Sequence, residues 1–308
     1  MTFFAVLFAL LLDQARRPGA EAALAAPARG WADWVQRQLD AGHRAQGVLV
    51  WGLAWGAPVL GAALVYQGLD RASGLLGFAW TLAVLYLLLG FRQFSHPFTA
   101  VRAALESADE ARARAALADW LNTPVVDWPR EELLRRTLAQ AVLSAQRHVF
   151  GVLVWFVAGA VLGLGPAGAV AYRQAANLAA RWSGAGPLSP VVSPAVAALA
   201  QRAWYWLDAA AARVTVLVFA MVGHFEEALA RWRQHAGPWR ESSDTLLLAV
   251  AEGALQVRLL ARGADDPLRG TDLREPQLAH LASAVGLVWR GVVLWLMALA
   301  IGLLARIF

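Results

Sequence analysis

Residues Val149–Tyr172 read VFGVLVWFVAGAVLGLGPAGAVAY, twenty-four positions without a formal charge, with Arg147 just before them and Arg173 just after. At a helical rise of about 1.5 Å per residue, the run reaches roughly 30 Å or more, enough to cross the hydrocarbon of a bilayer. The chain is therefore expected to live in a membrane. Gly165 and Pro166 interrupt the run. Neighbouring helices can satisfy the carbonyl that a proline frees, so a kink or short break within the span is expected there.

Composition agrees with a membrane part and a water-exposed part sharing one chain. Of 308 residues, 59% are hydrophobic and 16% charged, and the mean hydropathy is +0.48. That is too apolar for an ordinary soluble domain and too polar for a bundle throughout. All 27 basic residues are arginine, and cysteine is absent. Without cysteine there is no disulfide framework, thiolate nucleophile or cysteine metal site. In a membrane protein, arginine collects in loops that stay cytoplasmic, so the net charge of +5 is read as topology and no nucleic-acid partner is expected. Fifteen tryptophans suit the interface between lipid and water.

Outward from the central run, the fold class expected is all-α: a polytopic membrane helix bundle of about four or five spans, with amphipathic and cytoplasmic helices. The spans fall at approximately 47–67, 73–91, 149–172, 209–223 and 282–304, in one membrane domain covering 1–308. Leu69–Arg71 is read as the turn between the first two. The span at 209–223 requires Asp208 and Arg213 to pair or to face protein. Met1–Leu12 is an apolar dozen ending at Asp13, short for a span and read as a half-inserted or bundle-packed helix. Trp31, Trp34, Val35 and Leu39 mark one amphipathic helix within 14–46. Residues 92–148 form a cytoplasmic helical insertion with eight arginines from Arg92 to Arg147. Its helix starts are read at Ser95, and at Asp127 ahead of Pro129, Glu131 and Glu132. Residues 224–281 form a second polar helical segment, with Ser243 and Asp244 capping a helix from Thr245 to about Arg262. Gly52, Gly56 and Gly61 share one face, where another membrane protein or a second copy could approach closely.

Signals of chemistry are sparse. The six histidines His43, His96, His148, His224, His235 and His280 lack metal-ligand spacing with a carboxylate, so no metal site is expected. Gly184–Pro187 lacks the Lys and Ser/Thr of a phosphate loop. Glu226–Glu227 and Asp265–Asp266 are adjacent pairs whose side chains point about 100° apart on a helix. The catalytic residues stay unknown. What remains is charge at membrane depth: Asp208, Arg213 and Arg290, with Asp13 and Arg173 at the edges. Such residues either pair across helices and fix register, or line a polar pocket that holds an anionic or phosphorylated ligand against arginine.

Several stretches carry a family resemblance over nearly the whole chain. They are the opening run ending in Asp13, His96–Asn122, HVFGVLVWFVAGAVLG, Tyr172–Arg173, Leu207–Asp208 followed by Arg213–Thr215, and Gly253–Leu259 with Arg258. Together they resemble the CbiB/CobD family of membrane cobinamide-phosphate synthases. Gly223–Leu229, with His224 and Glu226, is similar to the GH-x-E-x-A-L of the AmpE-like branch. The candidate pocket set is then Asp13, Arg173, Asp208, Arg213, His224, Glu226, Arg258 and Arg290.

The departures shape the expectation. Where the synthases carry ENxSDG and NTLD, this chain has Leu143–His148 and Ala176–Ala179, so Arg147 and an alanine replace acidic residues. The resemblance thus implies an AmpE-like, non-catalytic signalling or regulatory protein of the Gram-negative inner membrane, multi-pass, with no cofactor. The alternative it implies is a cobinamide-phosphate synthase joining a corrinoid acid to an aminoalcohol phosphate, and only that reading needs magnesium and ATP. Arginine bias puts Ser107 and Arg269 in the cytoplasm.

Overall fold

The computed structural model describes residues 2–15, 20–40, 42–184, 190, 192–235, 242–260 and 273–305. The Asp265–Asp266 pair, Arg262, Arg269 and most of Gly184–Pro187 lie outside them.

Among the described residues every regular element is helical, apart from one isolated bridge between Val257 and Arg274. The chain opens with α1 (Thr2–Ala15), α2 (Ala20–Leu39), α3 (Arg44–Ala72) and α4 (Gly74–Leu88). Next come α5 (Phe91–Glu106), α6 (Glu110–Leu121) and α7 (Arg130–Ala145), then a π-helical turn at Gln146–Phe150. After the turn follow α8 (Gly151–Val161), α9 (Ala167–Arg181) and α10 (Pro194–Val222). The last three are α11 (Phe225–His235), α12 (Ser243–Leu255) and α13 (Leu278–Leu304). Among the described residues, by length and composition, four stretches can cross a membrane: Gln46–Ala72, Arg130–Val161, Pro194–Val222 and Leu278–Leu304. Thr2–Asp13 and Gly74–Leu88 are shorter apolar helices.

The expected span 149–172 is corrected: it is two helices, not one. α8 stops at Val161 because Gly163 and Gly165 take positive φ, 73° and 56°, and Pro166 then starts α9 without an N–H. The chain reverses there. Gly159 and Gly168 let the two backbones touch: a Cβ on Gly159 would lie 2.8 Å from the Gly168 nitrogen. The long apolar helix extends upstream instead, through α7 and the π-turn, so the expected boundary at His148 is not a helix end. The eight arginines of 92–148 make that segment look polar throughout, yet along α7 Leu133, Leu134, Leu138, Ala141 and Val142 are buried, and the Arg135 side chain is itself only 13% exposed.

Three smaller corrections follow from capping. α3 runs through Leu69–Arg71, and the turn is Ser73, whose hydroxyl accepts the Leu75 N–H at 3.3 Å. Ser95 lies inside α5 and caps nothing. α12 begins at Ser243 and ends at Leu255, where Gln256 turns left-handed at φ 55°, well short of Arg262.

Backbone packing divides the chain into two compact units. The first comprises Met1–Gly90, Gly151–Ala211 and Leu303–Phe308, and the second Phe91–Phe150 and Ala212–Gly302. In the first, α1 packs on α4, and α3 packs on α2, α4 and α9. Ala32, Val35, Val50, Ala54, Leu178, Trp182, Val196 and Ala200 form one apolar cluster. The expected amphipathic helix is α2, which buries Ala32 and Val35 and leaves Trp34 and Leu39 exposed. Arg181 holds Asp33 with two hydrogen bonds of 2.6 and 2.5 Å. A methyl built on Gly52, Gly56 or Gly61 meets nothing within 4 Å, so that small-residue face is open among the described residues. The second unit packs α11 against α12, and α7 against α5, α6 and α12.

Between α2 and α3, Asp40 accepts the Ser193 N–H at 2.8 Å and the Gly42 N–H at 3.3 Å. Burial alone would raise its pKa, but hydrogen bonds from Ser193, Gly42 and Gln36 outweigh burial and hold the carboxyl below its ordinary value. A depressed acid stabilises the fold above its unfolded pKa, about 3.9, and loses that stabilisation as pH falls through the folded value. The thermal-stability gap between the native chain and Asp40→Asn is therefore expected to close on acidification below about pH 4. A gap unchanged between pH 6 and pH 3 would contradict it.

Candidate functional site

In the first unit Tyr172 and Asp208 form a buried polar pair. The tyrosine hydroxyl donates to Asp208 Oδ1 at 2.8 Å, joining α9 to α10. Tyr172 is 0% exposed, Asp208 5% and Asp13 0%. Carboxylates buried to this degree are kept only where protein groups replace water. Gly151 on α8 makes room for the phenol, since a Cβ there would overlap its ring and hydroxyl. The surrounding backbone is held by side-chain donors. Trp55 Nε1 reaches Ala171 O at 2.9 Å, Gln174 Nε2 reaches Ala54 O at 3.0 Å, and Trp155 Nε1 reaches Leu207 O at 3.0 Å. Trp204 lies against the Tyr172 ring at 5.1 Å. Of the residues expected here, Asp208 and Asp13 are buried, and Arg173 is half-buried. Asp13 and Arg173 are both partnered.

The other expected residues belong to the second unit and are dispersed. Arg213 is half-buried and partnered, and His224 and Glu226 are exposed. Arg258 pairs with Glu275 at 2.9 Å. Arg290 is exposed, and its Nε donates to Gly286 O on its own helix. Two stronger pairs went unforeseen. Arg231 and Glu252, 5% and 4% exposed, pair at 3.4 Å across α11 and α12, and Glu252 also accepts the N–H groups of Leu259 and Leu260. A glutamate inside the apolar stretch AVAEGAL was the available signal. Arg147 Nη2 holds both oxygens of Asp244, at 2.8 and 2.6 Å. The two residues lie 97 positions apart, so no spacing in the chain announces that pair.

No group of three His, Cys, Asp or Glu among the described residues is arranged to hold a metal ion. The candidate residues are arranged in another way. What they offer is a buried tyrosine–carboxylate pair in one unit, and guanidinium donors beside a helix start in the other.

Long apolar helices with buried carboxylates and a buried ion pair define a multi-pass membrane protein of the helix-bundle class. Over 97% of its length, and 97% of the relative's, the chain is 30% identical to the cobalamin biosynthesis protein CobD of Stutzerimonas stutzeri (strain A1501). A protein of the same name in Chromobacterium violaceum is 28% identical over 69% of this chain and 67% of its own. The chain belongs to the CobD family. No family model matches it, and no solved structure matches it.

The relatives overturn the expectation of an AmpE-like, non-catalytic signalling protein, because both carry the name of a cobalamin biosynthesis protein. Gly223–Leu229, which pointed to that branch, has a packing explanation. Gly223 lies against Ala254, Ala228 is fully buried, and the His224 N–H donates to Ala254 O at 3.2 Å. The stretch marks the seat of α11 on α12.

Proposed function

We propose that this chain acts in cobalamin biosynthesis as a cobinamide-phosphate synthase of the bacterial inner membrane, joining a corrinoid acid to an aminoalcohol phosphate. The observation that carries the reading is similarity to a CobD protein along 97% of both chains. Amide formation from a carboxylate and an amine expels water, and cleavage of ATP, consumed as a co-substrate, would drive it. Magnesium would accompany the nucleotide phosphates. Burial of Tyr172, Asp208 and Asp13 supports the reading, since desolvated carboxylates are costly in an apolar bundle and are commonly kept for function. The arginines of Arg92–Arg147 would lie on the cytoplasmic side.

The test is complementation. A strain lacking its cobinamide-phosphate synthase is expected to grow on cobinamide precursors when it carries this chain, and to stop growing when the chain carries Asp208→Leu. A properly inserted wild-type chain that fails to rescue, and makes no cobinamide phosphate from purified substrates, would refute the proposal.

A further inference from the structure

The π-helical turn and the start of α12 together hold more buried donors than acceptors. Gln146 is 2% exposed, and neither its Oε1 nor its Nε2 has a hydrogen-bond partner. Ser243 is 8% exposed, and its Oγ is likewise without a partner. Arg147 gives Nη2 to Asp244 while its Nε is buried and unbonded. The two segments meet at that Arg147–Asp244 pair, whose side chains are 38% and 37% exposed, so the place is open to solvent. Ser242 caps α12 without a side-chain hydrogen bond, which leaves the first N–H groups of a thirteen-residue helix uncapped.

Unmet buried polar groups are rare and costly, and a π-turn inside a long α-helix often accompanies a functional position. A hydroxyl, a guanidinium N–H and a side-chain amide, each buried and unbonded, on two segments joined by the Arg147–Asp244 pair beside a helix N-terminus, match one kind of ligand, a small oxyanion. Asp244 neutralises Arg147, so the place does not carry the net positive charge that would bind anions indiscriminately. Recognition rests on directed donors instead.

We infer that Gln146, Arg147, Ser243 and the N-terminus of α12 form a binding site for a phosphate group. The source of that phosphate rests on the function proposed above, and is either the aminoalcohol phosphate or ATP. The site itself does not rest on it.

Calorimetry on the full-length detergent-solubilised protein tests the site with inorganic phosphate, O-phosphoethanolamine and ATP as probes, and ethanolamine as the phosphate-free control. Phosphate-bearing probes are expected to bind and ethanolamine not to. Ser243→Ala is expected to weaken phosphate binding about tenfold, the scale of a hydrogen bond to a charged group. The same substitution is expected to leave the melting temperature unchanged or higher, because it removes a buried hydroxyl that has no partner in the free protein. Gln146→Leu should behave alike. Tighter binding of O-phosphoethanolamine than of ATP assigns the site to the aminoalcohol phosphate, and the reverse order assigns it to the nucleotide. Phosphate binding unaltered in both variants overturns the site, as does a lowered melting temperature with Ser243→Ala, which would mean that the hydroxyl is satisfied structurally. If complementation fails while Ser243→Ala still weakens phosphate binding, the corrinoid reading falls and the site stands. If complementation succeeds while both variants bind phosphate normally, the site alone falls.

Discussion

Glu252→Ala is expected to destabilise the protein by about 3–5 kcal/mol, the penalty for breaking a buried ion pair by removing one member. Arg231 is buried, and the substitution would remove the carboxylate facing it across α11 and α12. The same substitution strips the acceptor from the N–H groups of Leu259 and Leu260, 2.9 and 3.3 Å from Glu252 Oε1. Those bonds tie the segment after α12 to the helix, just beyond the point where Gln256 turns left-handed and Arg258 meets the Arg274 backbone. Arg231→Met is expected to cost less. It leaves a carboxylate that still accepts two backbone donors, and methionine fills much of the arginine stem's volume. Thermal unfolding in detergent reads both variants. If Arg231→Met proves as damaging as Glu252→Ala, the ion pair and not the backbone bonds carries the contact. If neither moves the transition, the pair is not buried as described.

How much of this was legible in the chain depends on whether the information is local. The helical class and the apolar stretches could be read, because length and absence of charge are properties of short windows. The reversal at Gly163–Pro166 was half-legible. Two glycines and a proline within four residues announce a break, but a kinked span and a hairpin carry the same residues. The difference lies in Gly159 and Gly168 finding each other, which is a tertiary fact. α7 was misjudged for a related reason. Of its arginines Arg136 is exposed while Arg135 is largely covered, among buried Leu133, Leu134 and Leu138, and a count of charges cannot see burial. In the site, Asp208 and Asp13 stood out as acids beside apolar runs and both are buried, whereas His224, Glu226 and Arg290 drew notice by motif or position and are exposed. Arg147 read as the loss of an acid. Its partner Asp244 is a distant residue, and only the fold shows that the arginine is neutralised and set beside a helix start.

The hairpin of α8 and α9 makes the sharpest structural forecast. Gly168→Ala is expected to cost about 3 kcal/mol, the upper part of the usual range for overpacking. The added methyl would overlap the carbonyl oxygen of Trp155 and lie 3.1 Å from the Gly159 nitrogen, and both obstacles are backbone. A side chain could rotate away, but a helical carbonyl cannot move without parting the helices. Parting them would draw Tyr172 from the hollow at Gly151 and lengthen its bond to Asp208, so loss of stability and loss of rescue should appear together. Gly159→Ala should act similarly, since its methyl would lie 2.8 Å from the Gly168 nitrogen and 3.0 Å from Gly165 O. The two substitutions share one seam, so a single separation accommodates both methyls, and the double variant is expected to cost less than the sum of its parts. Gly56→Ala meets nothing within 4 Å and serves as the control, with an expected change within about 0.5 kcal/mol. If the chain instead crossed straight through Val149–Tyr172 as one helix, Gly159 and Gly168 would be nine positions apart on a single rod, their methyls would not compete, and the two penalties would add.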